Sequence, residues 1–260
     1  MIIQAAAVFT FGLLLGSFLN VCIYRMPKNE SIVFPASHCP HCGKNIEWYD
    51  NIPLLSYLAL GGKCRACKAK IRSRYPIVEV LTALLLTILF VKFGVTPKCL
   101  AYSVMACGLI VATFIDFEIQ EIPDEISIGG TVLGFALVLI FPSIIGAVTR
   151  VQGAIDSLVG ILVGGGSIYL LGVFGKLAFK KDAMGGGDVK LMAMIGSILG
   201  AKLVLLTFFI APFLGAVPGI ILKMRKGAET IPYGPFLSMA AIISLFFGNK
   251  ILELLFGGLF

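Results

Sequence analysis

The sequence predicts an all-α polytopic membrane protein of about eight transmembrane helices, with a small zinc-knuckle loop domain between the first two. Three observations carry this. Of 260 residues, 58% are apolar and only 13% charged, and the mean hydropathy is +0.98; in soluble domains about a quarter of residues are charged. Apolar stretches approaching the roughly 20 residues that cross a bilayer core recur along the chain. The one long polar stretch, 25–76, carries two C-x-x-C pairs.

The apolar stretches lie near 2–24, 77–94, 97–115, 126–147, 154–179, 189–201, 203–222 and 236–257. No positive charge precedes the first, as one would in a cleaved signal peptide, so 1–24 reads as a retained helix with its N-terminus outside. Eight crossings then put loops 25–76, 116–125, 180–188 and 223–235 in the cytosol. Of the 21 Lys and Arg residues, only Lys92, Lys98, Arg150, Lys202 and Lys250 fall on the other side, which is the bias the positive-inside rule requires. The division between 189–201 and 203–222 is the hardest to place, because so short a helix rises only about 20 Å. One long helix, however, would carry Lys223, Arg225 and Lys226 outside. Two segments turning at Gly200, Ala201 and Lys202 are therefore expected. The run Gly164-Gly165-Gly166 is expected to mark close helix packing, where small residues let backbones approach.

The net charge of +7 is explained by these loop cations. No basic helix or aromatic-interleaved patch follows a phosphate backbone, so nucleic acid is not an expected partner.

The polar loop holds Cys39-Pro40-His41-Cys42 and Cys64-Arg65-Ala66-Cys67. Two such knuckles match the ligand pattern of a four-thiolate zinc site. A loop with few apolar side chains builds little core, so metal ligation would supply its folding free energy. Four protein ligands close the tetrahedron, which implies a structural ion. Disulfides are the rival reading, disfavoured by a reducing cytosol, and uncoordinated thiols are a third. His38 and His41 are expected to be exposed loop residues, and Cys22, Cys99 and Cys107 to pack as small apolar groups.

The placement of the acids is more informative than their number. Asp116 follows Thr113-Phe114-Ile115, and Asp188 follows Gly185-Gly186-Gly187 at the opening of the sixth segment. Both therefore fall on the same side of the membrane, where ionisable groups are costly and tend to be functional. Two carboxylates within reach of one water do not both ionise readily; one acts as base and the other as acid. That suits amide hydrolysis. The glycines before Asp188 are expected to supply unusual torsions and room for an extended substrate. On position alone, both aspartates read more readily as interfacial helix caps or solvated loop charges. Asp124 is a candidate N-cap for a helix beginning near Glu125, and Glu118, Glu121 and Glu125 read as solvated. An ion-coupled transporter would also bury acids, though near the midplane of repeated halves. A non-catalytic zinc-bearing membrane scaffold is a further alternative.

Taken together, several motifs resemble those of the type IV prepilin peptidases, a family of aspartic membrane peptidases. They are Gly16-Ser17-Phe18-Leu19-Asn20-Val21 with Arg25-Met26-Pro27; the two cysteine pairs with Asn51-Ile52-Pro53 between them and the stretch 71–79 after them; Ile115-Asp116 with Ile122-Pro123-Asp124; and Gly185-Gly186-Gly187-Asp188-Val189-Lys190. The resemblance implies a bifunctional enzyme of the bacterial inner membrane, with its active site facing the cytosol, serving pilus, type II secretion or competence systems. It implies that Asp116 and Asp188 are the catalytic pair, supported by Asp124, Gly185, Gly187 and Lys190, and that cleavage needs no cofactor. The substrate would be a lipid-embedded prepilin or pseudopilin with a basic leader, which the acidic loop 116–125 is expected to attract. The cysteine loop implies a second activity, N-methylation of the new N-terminus by S-adenosyl-L-methionine. Arg25, Asn51, Arg72, Tyr75 and Glu79 are candidates for that cofactor by motif membership. The implied domains are a first helix, 1–24, a methylation-associated loop, 25–76, and a peptidase domain, 77–260. The glycine-rich aspartate is also similar to that of presenilin-type peptidases, but the 16–20 signature and the cysteine loop argue against that branch.

Overall fold

The computed structural model describes residues 1–180, 184–226 and 232–257. Residues 181–183 and 227–231, which fall in the expected cytosolic loops 180–188 and 223–235, and residues 258–260 lie outside the described residues. The α-helices among the described residues are α1 Ile2–Arg25, α2 Leu55–Ala59, α3 Arg74–Phe93, α4 Pro97–Ile119, α5 Asp124–Ile140, α6 Arg150–Phe179, α7 Gly186–Lys226 and α8 Gly234–Phe256. Among the described residues the only β pairing is two isolated bridges. Six helices, α1, α3, α4, α6, α7 and α8, contain segments long and apolar enough to cross a membrane, as hydrocarbon demands of a backbone that must satisfy its own hydrogen bonds.

The chain divides into two compact units, Met1–Cys99 and Leu100–Phe260. In the first, α1 and α3 run antiparallel along a small-residue seam. A Cβ on Gly16 would stand 2.6 Å from Glu79 Cα, and Gly12 lies as tightly against Ala83. The polar loop between these helices carries two short 3₁₀ turns and α2. Arg25, buried at the end of α1, closes the loop's first bend by donating to the carbonyls of Ser31 and Pro35 at 2.9 and 2.7 Å.

In the second unit the first arm of α7 is the centre of the core. Leu191, Met192, Met194, Ile195 and Ile198 are all fully buried, as befits a helix apolar on every side. Gly160 and Gly196 bring α6 and this arm to backbone contact. α7 is not one straight helix. At Gly200 the backbone takes φ 75°, ψ 174°, a region open essentially to glycine alone. A Cβ on Gly164 would meet the Met192 carbonyl and the Val204 side chain together, yet in a straight helix those levels stand about 18 Å apart. The chain therefore doubles back at Gly200, as the loop charges required. The two arms of α7, with the 17-residue α5, bring the helical passes among the described residues to eight. Gly200→Ala adds a torsional conflict and a Cβ 3.0 Å from Ile145 Cδ1. It is expected to destabilise by about 1–3 kcal/mol, visible as a lower Tm in detergent; an unchanged Tm would show that the turn does not need glycine.

Several boundaries differ from expectation, each for a local reason. α5 stops at Ile140 rather than near 147, because Pro142 follows and Phe141 leaves the helical region at φ −124°, ψ 76°. α6 starts at Arg150, where the Thr149 hydroxyl accepts the Gln152 N–H at 3.2 Å. α4 continues one turn past Asp116 to Ile119, so Asp116 is a helical residue and the loop shortens to 120–123. Asp124 is not an N-cap; Pro123 holds that position, and Asp124 is the first residue of α5.

Candidate active site

Asp116 stands in the last turn of α4 and is only 5% exposed. A carboxylate so placed in an apolar bundle needs a donor, and it has one in a distant segment: the Gly234 N–H donates to Asp116 Oδ2 at 2.9 Å. That amide is one of the unsatisfied N–H groups at the start of α8, an end that favours a bound anion. Only glycine fits there. A Cβ on Gly234 would stand 2.9 Å from Asp116 Oδ2 and 3.3 Å from its Cγ.

Asp188 is the third residue of α7, and its carboxylate reaches back to accept the Gly185 N–H, the acidic half of a capping box. It is close enough to Asp116 for their charges to interact. Ile122, buried, lies between the two helix starts: a Cβ on Gly187 would come within 3.1 Å of Ile122 Cβ, and one on Gly234 within 3.2 Å of its Cδ1. The glycines before Asp188 therefore supply room rather than torsion, since none of the three stands at positive φ. Tyr233, just before α8, completes the surroundings. Burial and the Asp188 charge push its phenol up to about 12, so it remains a proton donor. Lys190 and Asp124 form an exposed ion pair at 2.6 Å that ties the start of α7 to the start of α5, a contact of about 0–1 kcal/mol. Paired carboxylates, each hydrogen-bonded by a backbone amide and one beside a phenol donor, are equipped to hold and activate a water.

In the other unit, the four cysteine sulfurs lie within 4.8 Å of one another, with Cys39 and Cys67 Sγ 3.8 Å apart. Both knuckles have the same construction. Cys39 N–H donates to Lys44 O and Cys64 N–H to Ala69 O, each at 2.9 Å. The residue after the second cysteine turns left-handed in both, Gly43 at φ 68° and Lys68 at 58°. Amides of Cys67 and Ala66 hold the Cys64 thiol down to about 7. Arg65 clamps the second knuckle to the turn at 48–51 through a bidentate pair with Asp50, both bonds 2.7 Å. This group is able to hold a metal ion; four thiolates about 2.3 Å from a tetrahedral ion sit about 3.8 Å apart. No disulfide is formed, and His38 and His41 are not part of the group.

The five residues named for a cofactor all lie in the first unit, Met1–Cys99. Arg25 is committed to loop carbonyls, Asn51 and Arg72 are exposed, and Tyr75 and Glu79 lie on α3 facing α1. Ile122, though quoted in a motif, was not expected in the site, and neither were Tyr233 and Gly234. Gly234-Pro235 signals a helix start, but nothing local tells that its amide meets an acid 118 residues away.

The fold and site define a polytopic helical membrane protein with a carboxylate pair where two helix ends meet. Residues 10–93 match the model of the bacterial peptidase A24 N-terminal domain, and residues 103–220 that of the type IV leader peptidase family. A prepilin leader peptidase/N-methyltransferase of Pseudomonas aeruginosa is 37% identical over 92% of this chain and 89% of its own length. The type 4 prepilin-like proteins leader peptide-processing enzyme of Escherichia coli O78:H11 is 36% identical over 90% and 91%. A prepilin leader peptidase/N-methyltransferase of Aeromonas hydrophila is 34% identical over 94% and 91%. No solved structure matches. The chain belongs to the type IV leader peptidase family.

Proposed function

We propose that this chain is a prepilin leader peptidase and N-methyltransferase of the bacterial inner membrane, cutting at the cytosolic face with Asp116 and Asp188. The observation that carries the reading is the meeting of these two acids where α4 and α7 end and begin. One carboxylate takes a proton from a shared water as its oxygen adds to the scissile carbonyl, and the protonated partner donates to the carbonyl oxygen. Collapse of the tetrahedral intermediate breaks the C–N bond and returns a proton to the leaving amine. The Gly234 amide holds Asp116 Oδ2, leaving the other oxygen for the water. The exposed acids Glu118, Glu121 and Glu125 border this edge and draw the basic leader toward it. Gly185 and Gly187 give the substrate backbone room, and the Lys190–Asp124 pair holds the first turn of α7 in place.

The four cysteines hold a structural zinc, which organises the loop and takes no part in cleavage. S-adenosyl-L-methionine supplies the methyl group for the new N-terminus. Purified enzyme in liposomes, given a model prepilin and the methyl donor, should yield a product lacking its leader and bearing one methyl on its first amine, read by mass spectrometry. An uncut substrate would overturn the reading.

The role of the Gly234 amide is tested separately. Gly234→Ala must displace the Asp116 carboxylate, and a misplacement of about 1 Å costs on the order of 100-fold. Cleavage kcat/KM should fall by that order; wild-type kinetics would show that the contact is incidental.

A further inference from the structure

The seam between α1 and α3 buries polar groups that the peptide-cutting pair does not use. Ser17 and Asn20, three residues apart, share one face of α1. The Tyr75 carbonyl and the Glu79 side chain, one turn apart on α3, face them. Asn20 is 1% exposed; its Nδ2 donates to Tyr75 O at 3.0 Å and Gly16 O at 3.3 Å, while its Oδ1 is buried with no donor. Glu79 is 6% exposed. Its Oε2 accepts the Leu54 N–H at 2.8 Å, and its side chain also pairs with that of Ser17. Both partners are neutral donors, and a buried carboxylate calls for a cation.

The backbone that supplies one of those donors is itself strained. Leu54 stands at φ 61°, ψ −49°, and Leu55 N–H closes a tight turn onto Pro53 O at 2.6 Å. A leucine in that conformation is rare and persists only where its surroundings enforce it. The strain aims the Leu54 amide at Glu79, fixing one carboxylate oxygen. The seam thus presents an anionic acceptor and an orphaned neutral acceptor, and what would satisfy both is a cation with several N–H donors. Ribose hydroxyls would leave the charge unbalanced, and a sulfonium has no N–H to give.

We propose that this seam is the amine-binding site of methyl transfer, with Glu79 and Asn20 Oδ1 holding the α-ammonium of the processed pilin. The inference rests on the methyltransferase reading above. The methyl donor also carries an α-ammonium, but the pilin's must lose a proton before it reacts, and a buried carboxylate is suited to take it. Glu79 accepts that proton, and the freed lone pair forms the N–C bond to the sulfonium methyl as the S–C bond breaks. Sulfur leaves as a neutral thioether, the product is a secondary ammonium, and Glu79 passes its proton to water.

The test uses the full-length enzyme in lipid nanodiscs, with Glu79→Gln, which keeps an acceptor for the Leu54 amide, and Asn20→Ala. Wild-type protease resistance of the loop between α1 and α3 reports that the first unit of each variant is folded. Methylation should fall on the order of 100-fold in Glu79→Gln, the usual contribution of a positioned base. In equilibrium binding, the wild type should prefer a processed-pilin peptide with a free N-terminus over its N-acetylated form. Both variants should lose that preference while binding the methyl donor as before. Wild-type methylation in Glu79→Gln, or loss of donor binding with the amine preference intact, would overturn the assignment. A wild type that cleaves but never methylates would instead remove the reading beneath it, and the inference with it.

Discussion

Asparagine at either Asp116 or Asp188 should reduce leader cleavage by a factor on the order of 10³ or more, the scale on which loss of a catalytic base or acid is felt. The substitution is nearly isosteric, so the cause would be chemical. At position 116 the asparagine carbonyl still accepts the Gly234 N–H, and at position 188 it still reaches the Gly185 amide, so both helix ends keep their ties. What is lost is the ability of the pair to share one proton. Wild-type rates in either variant, with the protein folded, would contradict this.

The second large effect is expected at the cysteines. The loop between α1 and α3 has few buried apolar side chains; its two knuckles are joined chiefly through sulfur, and the Arg65–Asp50 clamp ties the second to the turn at 48–51. Structural zinc contributes about 10–16 kcal/mol in small metal-ordered domains, far more than that exposed clamp supplies. Removing the metal with a strong chelator, or replacing Cys39 by serine, should make the loop protease-sensitive and abolish methylation. Cleavage should change only a few-fold, because the aspartates and the amides that hold them belong to the other unit. Methylation that survives complete metal removal would show that the loop folds without an ion.

The bilayer makes much of this architecture readable. Uninterrupted apolar runs gave the helices, and loop charges gave the reversal at Gly200, which hydropathy alone would have missed. Helix ends were harder. The apolar run stops at Asp116, but the helix continues to Ile119, because a carboxylate at that depth is tolerated once Gly234 supplies a donor. Pro142 ended α5 before its apolar run ended. The cysteine group was fully legible, since two ligand pairs at knuckle spacing leave few alternatives. Asn20 and Glu79 were visible as parts of motifs but not as residues of one seam, because the closeness of Gly16 to the α3 backbone is a packing fact. The glycines before Asp188 suggest both unusual torsions and room; none stands at positive φ, and Gly187 serves as space against Ile122.

The central claim is that Asp116 and Asp188 act as one unit on one water. Its most direct test is the kcat/KM for prepilin cleavage in the two single Asp→Asn variants and in the double variant. A shared-proton pair predicts that the double is no slower than the slower single, because the first substitution already destroys the unit. Losses that multiply would mean that the two acids contribute independently, and the account would be wrong.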